Sequence, residues 1–416
     1  MSDQNSKRLF YGSCFALITT AFSFSIRAGI LPQLGEEFNL SATQLGFINQ
    51  MWFLGFPISM VLGGIFYTSL GPKRIMMIAF VSHTIGIIMT IYSGGYVGLL
   101  ISTLLIGIGN GCTEAACNPM IASAYSGKIM NTLLNRFHMW FHGGIVIGSL
   151  ISFGMTEWSI GNWEAQIWLI MVPTIIYAYY FWGQKFPEAR EESASLAVNL
   201  KAMVSPLFIF ICACMTLTAI SEFGPTQWAQ LVLSKSGAEP MVILALITGL
   251  VAFGRYFGGE FVHRFGQAGV MLGGAVFTAI GIFLFSTQTG AMAYVAAIFF
   301  AIGICYFWPN LLGYTAEQIP LSGAIGMSIV GAFGMFSTSI WQPIIGGWID
   351  KAGEEAAALG VQGDALELAA GQATLQKMLA FPLILIVLFT ILLIWTRKRN
   401  ADAAANTRVK ASPAVK

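Results

Sequence analysis

The chain has 416 residues, of which 56% are hydrophobic and only 10% charged, and its mean hydropathy is +0.72. Soluble domains carry about a quarter charged residues, so this composition excludes a water-soluble globule. A net charge of +2 without a basic, aromatic-rich patch argues against a nucleic-acid partner. The six cysteines lie in apolar runs without zinc-site or disulfide spacing, so neither a metal nor a disulfide framework is expected.

Apolar runs of 18 or more residues recur along the whole chain, and this length crosses a bilayer as a helix. The first run is too long for a signal-peptide core, so it is predicted to be the first span. We predict an all-α membrane protein with twelve transmembrane helices. The predicted spans are 9–33, 42–69, 75–93, 97–124, 131–156, 164–185, 205–233, 240–262, 269–287, 290–316, 322–349 and 374–396.

The charged residues between these spans are divided unevenly between two faces. An even number of spans puts both termini on one face, and that face collects most Lys and Arg residues, including Lys73, Arg74 and the cluster at 397–399. The opposite face is acidic, with Glu239 and the 350–367 stretch. The positive-inside rule therefore predicts that both termini are cytoplasmic.

The longest polar stretch between spans on the basic face is 186–204, close to the middle of the membrane-embedded part. We interpret it as a cytoplasmic linker between two six-helix bundles, at 1–185 and 205–400. Residues 401–416 are predicted to form a disordered cytoplasmic tail.

An internal repeat supports two similar halves. A shift of 195 residues superimposes Gly63, Gly64, Phe66 and Gly71 on Gly258, Gly259, Phe261 and Gly266. Parallel repeats of this kind place a substrate site between the halves, near the bilayer midplane. The same shift aligns Arg27 of the first span with Glu222 of the seventh, so these residues are expected at similar depth on facing helices.

Glu114 lies within the fourth predicted span, in GNGCTEAACNP (residues 109–119). Ionisable groups inside a membrane are costly, so they usually have a function. A carboxylate among small residues is a candidate for proton coupling and substrate contact. The alternative is a permanent structural pair with Arg136 or with a backbone group.

The fifth span begins with NRFHMWFHGG (residues 135–144). Helical spacing places Asn135 on a face with His138 and His142, and this polar face should point toward the cavity. The histidines are candidates to bind hydroxyl groups or to tune Glu114. Histidines bonded to backbone carbonyls between helices are an equally good interpretation.

In the seventh span, SEFGPTQW (residues 221–228) places Glu222, Gln227 and Trp228 around a Gly-Pro pair that predicts a helix break. Aromatic faces beside amides or carboxylates suit a sugar, whose C–H surface stacks while its hydroxyls meet acceptors. Glu222 is also a candidate for proton coupling. Comparable predicted breaks or cavity-lining groups are Pro32 and Gln33; Asn49, Gln50 and Trp52; Tyr306, Trp308, Pro309 and Asn310; and Trp341, Gln342 and Pro343.

Arg255 and Glu260 lie in GRYFGGEFVHRFG (residues 254–266), which is predicted to be close to the cytoplasmic membrane surface. A conformation-dependent ion pair is one interpretation and static snorkelling is the other. We favour a structural or gating role over substrate contact.

These motifs resemble the major facilitator superfamily, and within it the fucose–galactose–glucose proton symporter family. GCTEAACNP (111–119) is similar to that family's fourth-span signature, which implies a protonatable, substrate-contacting role for Glu114 with Asn118 and Pro119 also matched. Further similarities are ILPQL (30–34), NRFHMWFHGG and GRYFGGEFVHRFG, in the same order along the chain. The resemblance implies a major facilitator fold in a bacterial cytoplasmic (inner) membrane.

One position departs from the resemblance. Symporters of this family have an aspartate in the first span where this chain has Ala28, next to Arg27. Arg27 suits a planar anionic group on a substrate, such as a uronate or sulfonate. The alternative is that Arg27 pairs with Glu222 or Glu114, which would leave a neutral cavity open to neutral sugars.

The sequence thus predicts a proton-coupled symporter that imports a monosaccharide or a sugar derivative, including an acidic one, by alternating access. Export of another small organic compound and a non-translocating nutrient sensor remain alternatives. An enzyme is least expected, because no catalytic triad, metal spacing or phosphate loop is present. The expected partners are the small-molecule substrate, protons and membrane lipids. No cofactor is expected, and we expect a monomer.

Overall fold

The computed structural model describes residues 3–125, 127–187, 196–257 and 259–411, and these residues form helices joined by short turns. The first half of the chain contains α1 Asp3–Glu37, α2 Ala42–Ile65, α3 Tyr67–Ile91, α4 Tyr96–Ala124, α5 Gly127–Glu157 and α6 Trp163–Phe181. A short helix, α7 Leu196–Met203, lies in the predicted linker, whose residues 188–195 are outside the described residues.

The second half contains α8 Pro206–Gln227, α9 Ala229–Val232, α10 Pro240–Phe257, α11 Gly259–Thr287, α12 Ala291–Ile304, α13 Phe307–Gln318, a 3-10 turn at Pro320–Ser322, α14 Gly323–Ala358, α15 Asp364–Met378 and α16 Ala380–Ala411. In the described part of the chain, ten helical stretches are long and apolar enough to cross a membrane. The shorter helices α6 and α10, of 19 and 18 residues, complete the twelve spans. The predicted all-α membrane fold is confirmed.

Twelve crossings return the chain to the face at which α1 begins. We call the face where α1 begins and α16 ends the terminal face, and the opposite one the far face. α16 continues to Ala411, past the predicted boundary of the second bundle at residue 400. The segment after residue 400 is alanine-rich, and alanine has the highest helix propensity.

Several predicted interruptions of the spans are absent or displaced. Pro32 and Pro343 lie inside the continuous helices α1 and α14, and α8 runs past Pro225 to Gln227 before it breaks at Trp228. A proline inside a membrane helix need not break it, because neighbouring helices and side chains satisfy the freed carbonyl. The predicted break in the tenth span is present, between α12 and α13 at Cys305 and Tyr306.

Two glycines reproduce the repeat as backbone geometry. Gly71 has φ 73° and ψ 157°, and Gly266, 195 residues later, has φ 70° and ψ 157°. Positive φ is strained for residues with a Cβ, so each tight turn requires glycine. The same turn at the same offset supports an origin of the two halves as parallel repeats.

The two halves approach each other most closely where α2 crosses α14 near the far face. A Cβ on Gly46 would lie 2.5 Å from the Cα of Pro343, and a Cβ on Gly346 would lie 2.2 Å from the carbonyl oxygen of Ala42. Backbones can come this close only where glycine leaves out the side chain.

Asp350 of α14 caps the beginning of α2 at this crossing. Its carboxylate accepts hydrogen bonds from the backbone N–H groups of Ala42 (2.9 Å) and Thr43 (2.8 Å), and from the Thr43 hydroxyl (2.5 Å). The first N–H groups of a helix have no partner within the helix, and a negative charge also complements the helix dipole there. A residue of one half thus completes a helix of the other half.

We expect Asp350→Ala to lower the thermal stability of the protein in detergent, because it leaves three donors at the start of α2 without a charged acceptor. A hydrogen bond to a charged group contributes about 1.5–3 kcal/mol. Asp350→Asn, which keeps one acceptor oxygen, should lose less. Melting temperatures measured by intrinsic fluorescence test this order.

The matched control is Asp364→Ala on the same face. Asp364 is 82% exposed and pairs with Lys235 at 2.9 Å, and this hydrogen bond raises the pKa of Lys235 above its ordinary value. Exposed pairs contribute little to stability, so the control should melt close to wild type. Equal melting temperatures for Asp350→Ala and Asp364→Ala would contradict the assignment of Asp350 as an inter-half cap.

Candidate functional site

Arg27 of α1 is the buried charge around which the candidate site is arranged. It is only 5% exposed, and its Nη2 donates a hydrogen bond to the Oε1 atom of Gln227, at the end of α8. The Gln227 amide nitrogen donates in turn to the carbonyl oxygen of Phe24 at 3.3 Å. α1 and α8 therefore face each other, as the repeat predicts.

The partner of Arg27 differs from the predicted ones. Among the described residues no carboxylate lies within ion-pair distance of Arg27, and the recorded ion pairs involve Lys235 and Lys351 instead. The predicted pair with Glu222 or Glu114 is therefore absent. Gln227 takes that place because it lies about one and a half helical turns beyond Glu222, and the repeat alignment does not set the register of facing helices to one residue.

Two aromatic rings lie against the guanidinium of Arg27. The Cζ atom of Arg27 lies 4.9 Å from the ring centroid of Trp52 and 5.8 Å from that of Phe53, both on α2. A cation over an aromatic face is attracted by the ring quadrupole. The Nε and Nη1 atoms of Arg27 are buried and have no hydrogen-bond partner among the described residues. The guanidinium is thus only partly satisfied by its neighbours.

Further rings cross from one half to the other beside Arg27. Phe223 of α8 lies 5.7 Å from Phe24 and 5.6 Å from Phe53, measured between ring centroids, and 6.2 Å from Trp308 of α13. The wall of the site is therefore largely aromatic. Its polar groups are few and lie at defined places along it.

Glu222 lies in a small pocket lined by both halves. Glu222 is 6% exposed and its Oε2 atom has no partner in the described part of the chain, while His142 of α5 is 7% exposed and lines the same pocket. Two threonines add hydroxyl groups. The lining residues are Phe24, Phe141, His142, Ile145, Glu222, Phe223, Thr226, Ile247, Thr248, Val251 and Ile304.

Arg255, in the last turn of α10, lies one helical turn beyond Val251, a residue that lines this pocket. Its Nε donates to the carbonyl oxygen of Cys305 at 2.8 Å, where the chain breaks between α12 and α13. The predicted pair with Glu260 cannot be assessed, because the side chain of Glu260 lies outside the described residues.

Glu114 lies apart from this cluster, nearer the terminal face. Its carboxylate is half-buried and accepts a hydrogen bond from the amide nitrogen of Asn118, one turn along α4. Its neighbour Ala115 lies against Gly63, close to the end of α2 at the terminal face. The small residues of the motif allow close helix packing, since a Cβ on Gly111 would lie 2.1 Å from the carbonyl oxygen of Phe56.

The fifth-span candidates separate. Only His142 enters the pocket, whereas His138 is exposed and lies edge-on against Phe137, with ring centroids 5.0 Å apart. Arg136 is exposed, and the side chain of Asn135 lies outside the described residues.

The remaining candidates are distributed as follows. Gln342 is fully buried, and neither of its amide atoms has a partner in the described chain. Asn49 has the same property, whereas its predicted neighbour Gln50 is only half-buried, so Asn49 is the better candidate on α2. Asn310, Trp228 and Trp308 each keep one buried donor without a partner in the described part of the chain, and Trp341 packs against Trp348 and Phe381 in the wall of the second half.

His83 of α3 is a buried polar residue that the sequence candidates omit. It is fully buried and hydrogen-bonded on both ring nitrogens, to Asn110 and Tyr177. A histidine in the middle of an apolar run, SHTIG (82–86), is the signal that points to it.

The model of the Major Facilitator Superfamily matches residues 13–342. Because this match covers most of the chain, the protein belongs to the Major Facilitator Superfamily. The superfamily expected from the sequence is confirmed. The relatives found are transporters of small molecules rather than enzymes.

Two relatives show the range of likeness in sequence. The hexuronate transporter of Bacillus subtilis (strain 168) is 27% identical over 182 residues, which are 42% of this chain and 41% of that protein. The match therefore spans less than half of that relative. The putative niacin/nicotinamide transporter NiaP of the same strain is 22% identical over 344 residues, which are 79% of this chain and 84% of that protein.

Solved structures show the shared fold. A mutant of the nucleoside transporter NupG superposes with a TM-score of 0.76 at 14% identity, covering 93% of this chain and 99% of that one. A D-xylose-proton symporter superposes with a TM-score of 0.70 at 16% identity, covering 91% and 96%. At these identities the likeness extends to the fold alone.

Gln227→Ala should lower thermal stability measured without added ligand, because the buried Nη2 of Arg27 loses its acceptor. A buried donor without a partner costs about 1–3 kcal/mol. The control is Gln342→Ala, a buried glutamine whose amide has no partner among the described residues, so this truncation removes no hydrogen bond. Equal losses of stability in the two variants would show that the Arg27–Gln227 hydrogen bond contributes nothing.

Proposed function

We propose that the protein is a proton-coupled symporter that imports a monosaccharide derivative, and that its preferred substrate is an acidic sugar. The observation that carries this proposal is the buried guanidinium of Arg27, with two nitrogen atoms that have no partner in the described chain and no carboxylate in ion-pair distance. A buried, uncompensated charge is costly, and an anionic group on a ligand removes that cost.

The chemistry of Arg27 favours a carboxylate. A guanidinium presents N–H groups in a planar fork that matches the two oxygens of a carboxylate, and such charge-assisted pairs are stronger than neutral hydrogen bonds. Gln227 takes one of the two Nη2–H groups, so the other Nη2–H can form this fork with either the Nε–H or the Nη1–H, both of which have no partner among the described residues. The hexuronate transporter among the relatives is named for an acidic sugar, which supports this choice.

The surroundings of Arg27 suit a sugar ring. Phe24, Phe53 and Phe223 offer aromatic faces beside Arg27. Elsewhere in the two halves, the partly or wholly unpartnered buried amides of Asn49, Asn310 and Gln342 are further candidates to bind hydroxyl groups. The resemblance of GCTEAACNP to the fucose–galactose–glucose symporters and the fold shared with a xylose symporter are consistent with a sugar-like substrate.

Two carboxylates are proposed for the coupling proton. Glu222 is buried with an unpartnered oxygen in a pocket that contains His142 of the other half, so taking up a proton removes a costly buried charge. The family resemblance implies a protonatable role for Glu114. This residue is half-buried nearer the terminal face, and its carboxylate accepts a hydrogen bond from Asn118. Protonation of Glu222 acts directly on the pocket between the halves, whereas Glu114 acts from outside that pocket.

The distribution of basic residues carries the proposed orientation of the protein in its membrane. We infer from the Lys and Arg residues on the terminal face that this face is cytoplasmic. We further propose that the protein is a monomer in a bacterial inner membrane, as the family resemblance implies. The two six-helix bundles then open their shared cavity alternately to each side.

Binding of D-glucuronate and D-glucose to the purified protein tests the substrate proposal. We expect D-glucuronate to raise the melting temperature more than D-glucose does. Arg27→Gln should weaken D-glucuronate binding by about 10- to 100-fold, the effect of losing a charge-assisted pair, and should change D-glucose binding little. Arg27→Lys, which keeps the charge but loses the fork, should be intermediate.

Arg74→Gln, on the exposed terminal face, is the control for loss of a positive charge and should bind as wild type does. An Arg27→Gln variant that binds D-glucuronate as tightly as wild type would contradict the role of Arg27.

Uptake into proteoliposomes tests the proton coupling. Glu222→Gln and Glu114→Gln should each abolish uphill accumulation of D-glucuronate driven by a pH gradient while substrate exchange continues, because a neutral side chain removes the proton site but keeps the cavity. Glu239→Gln, exposed at the far face, should accumulate substrate normally. Unaltered uphill accumulation in either site variant removes that glutamate from the coupling mechanism.

A further inference from the structure

A chain of buried side-chain hydrogen bonds crosses the first half of the protein and begins far from the substrate cavity. The Nδ1 atom of His83 lies 3.0 Å from the hydroxyl of Tyr177, and its Nε2 atom lies 2.9 Å from the Oδ1 atom of Asn110. An amide oxygen only accepts, so the proton of a neutral imidazole belongs on Nε2, and Nδ1 accepts from Tyr177. Each ring nitrogen of His83 thus has one partner: Nε2 donates to Asn110 and Nδ1 accepts from Tyr177.

The chain continues through Asn110 to the first helix. The amide nitrogen of Asn110 donates to the hydroxyl oxygen of Ser23 at 3.2 Å, and the indole Nε1 of Trp52 donates to the same oxygen at 2.9 Å. Ser23 donates its own proton to the carbonyl oxygen of Thr20 at 2.8 Å. A hydroxyl that accepts twice and donates once has used its full capacity, so its position is closely determined.

Trp52 is distinguished from two other buried tryptophans of the protein by this arrangement. The indole nitrogens of Trp228 and Trp308 are buried without a partner among the described residues. The indole of Trp52, in contrast, is held at its nitrogen by Ser23 and flanked by Phe53, with ring centroids 4.9 Å apart. Trp52 therefore has a specific anchor at its indole nitrogen.

The face of this anchored ring lies under Arg27. Ser23 and Arg27 are four residues apart on α1, so they lie on one face of the helix, and Trp52 meets both. Its nitrogen binds Ser23 and its ring centroid lies 4.9 Å from the Cζ atom of Arg27. A tilt of the indole would therefore displace the guanidinium and its two free donors.

Tight packing also restricts the imidazole of His83, at the other end of this series of hydrogen bonds. His83 is fully buried, and a Cβ on Gly109 would lie 2.3 Å from its Cδ2 atom. Gly109, which precedes Asn110 in the fourth-span motif, is the residue that admits the imidazole. The connected residues come from α1, α2, α3, α4 and α6.

We propose that His83 is a positioning residue for the anion site: through Asn110 and Ser23 it fixes the indole of Trp52 and so aims the free N–H groups of Arg27 at the anionic group of the substrate. This inference rests on the proposed role of Arg27 in binding an acidic sugar. His83 itself does not contact the substrate. A polar network that only stabilised the bundle would affect folding without affecting selectivity.

His83→Phe keeps a ring of similar size and removes both hydrogen bonds. We expect the Kd for D-glucuronate to rise about tenfold, the effect of one misaligned charge-assisted hydrogen bond, while the Kd for D-glucose changes less than about twofold. In uptake assays KM for D-glucuronate should rise with little change in kcat. His83→Gln, which retains an N–H donor for Asn110, should recover part of the loss.

Tyr314→Phe is the matched control, because Tyr314 is a buried tyrosine whose hydroxyl lies 2.7 Å from that of Thr396, on the other half of the protein. It should leave the ratio of the two Kd values unchanged. If His83→Phe does not fold, Tyr177→Phe removes only the last bond of the chain and should shift the ratio in the same direction by a smaller factor. An unchanged ratio in the folded His83 or Tyr177 variant overturns the proposal.

A readout that needs no substrate separates this proposal from the proposed function. In full-length protein with 15N-labelled indoles, the Trp52 Nε1–H resonance is identified by its loss in Trp52→Phe. We expect it to shift or broaden in His83→Phe and to exchange faster with solvent, and to stay unchanged in Tyr314→Phe. An unchanged resonance in His83→Phe overturns the positioning role whatever the protein binds. Failure of wild-type protein to bind D-glucuronate contradicts the proposed function, while the resonance still decides whether His83 holds Trp52.

Discussion

A single buried guanidinium, that of Arg27, imposes the strongest constraint on this structure. Removing such a charge from water is costly unless the protein supplies compensating groups. Here an amide from the second half and two aromatic faces from the first half supply part of that compensation. The remaining part is missing in the described protein, which is what a site for an anionic ligand requires.

The proposed anion site around Arg27 depends on contact between the two halves. Gln227 reaches Arg27 only while α8 lies against α1, and Phe223 reaches Phe24 and Phe53 only in the same state. Near the far face the close crossing of α2 and α14, with Asp350 capping the start of α2, holds the halves together. In a transporter of this fold, separation of the halves on that side would remove the cap and the partner of Arg27 in one movement.

The two halves contribute different kinds of polar group. The first half holds a continuous hydrogen-bond network from Tyr177 to Trp52. This network fixes the indole on which the Arg27 guanidinium lies. The second half presents Glu222, Asn310 and Gln342, each with at least one buried polar atom that has no partner among the described residues. Preorganisation on one side and unsatisfied groups on the other suit a site that closes around its ligand.

Composition and the lengths of the apolar runs determined the membrane fold, the number of spans and most of their ends, because burial in lipid is a local property that each run records by itself. The glycine repeat at an offset of 195 indicated two similar halves, and its last pair, Gly71 and Gly266, forms matching turns because positive φ favours glycine. Rarity of charge inside the spans also selected Arg27 and Glu222 as buried groups.

Only the tertiary structure decided that Arg27 meets Gln227 rather than a glutamate, that Asn49 rather than Gln50 is fully buried, and that His83 supports Trp52. Those outcomes depend on the rotation and register of packed helices, which arise from contacts between distant segments and leave no pattern along any one of them.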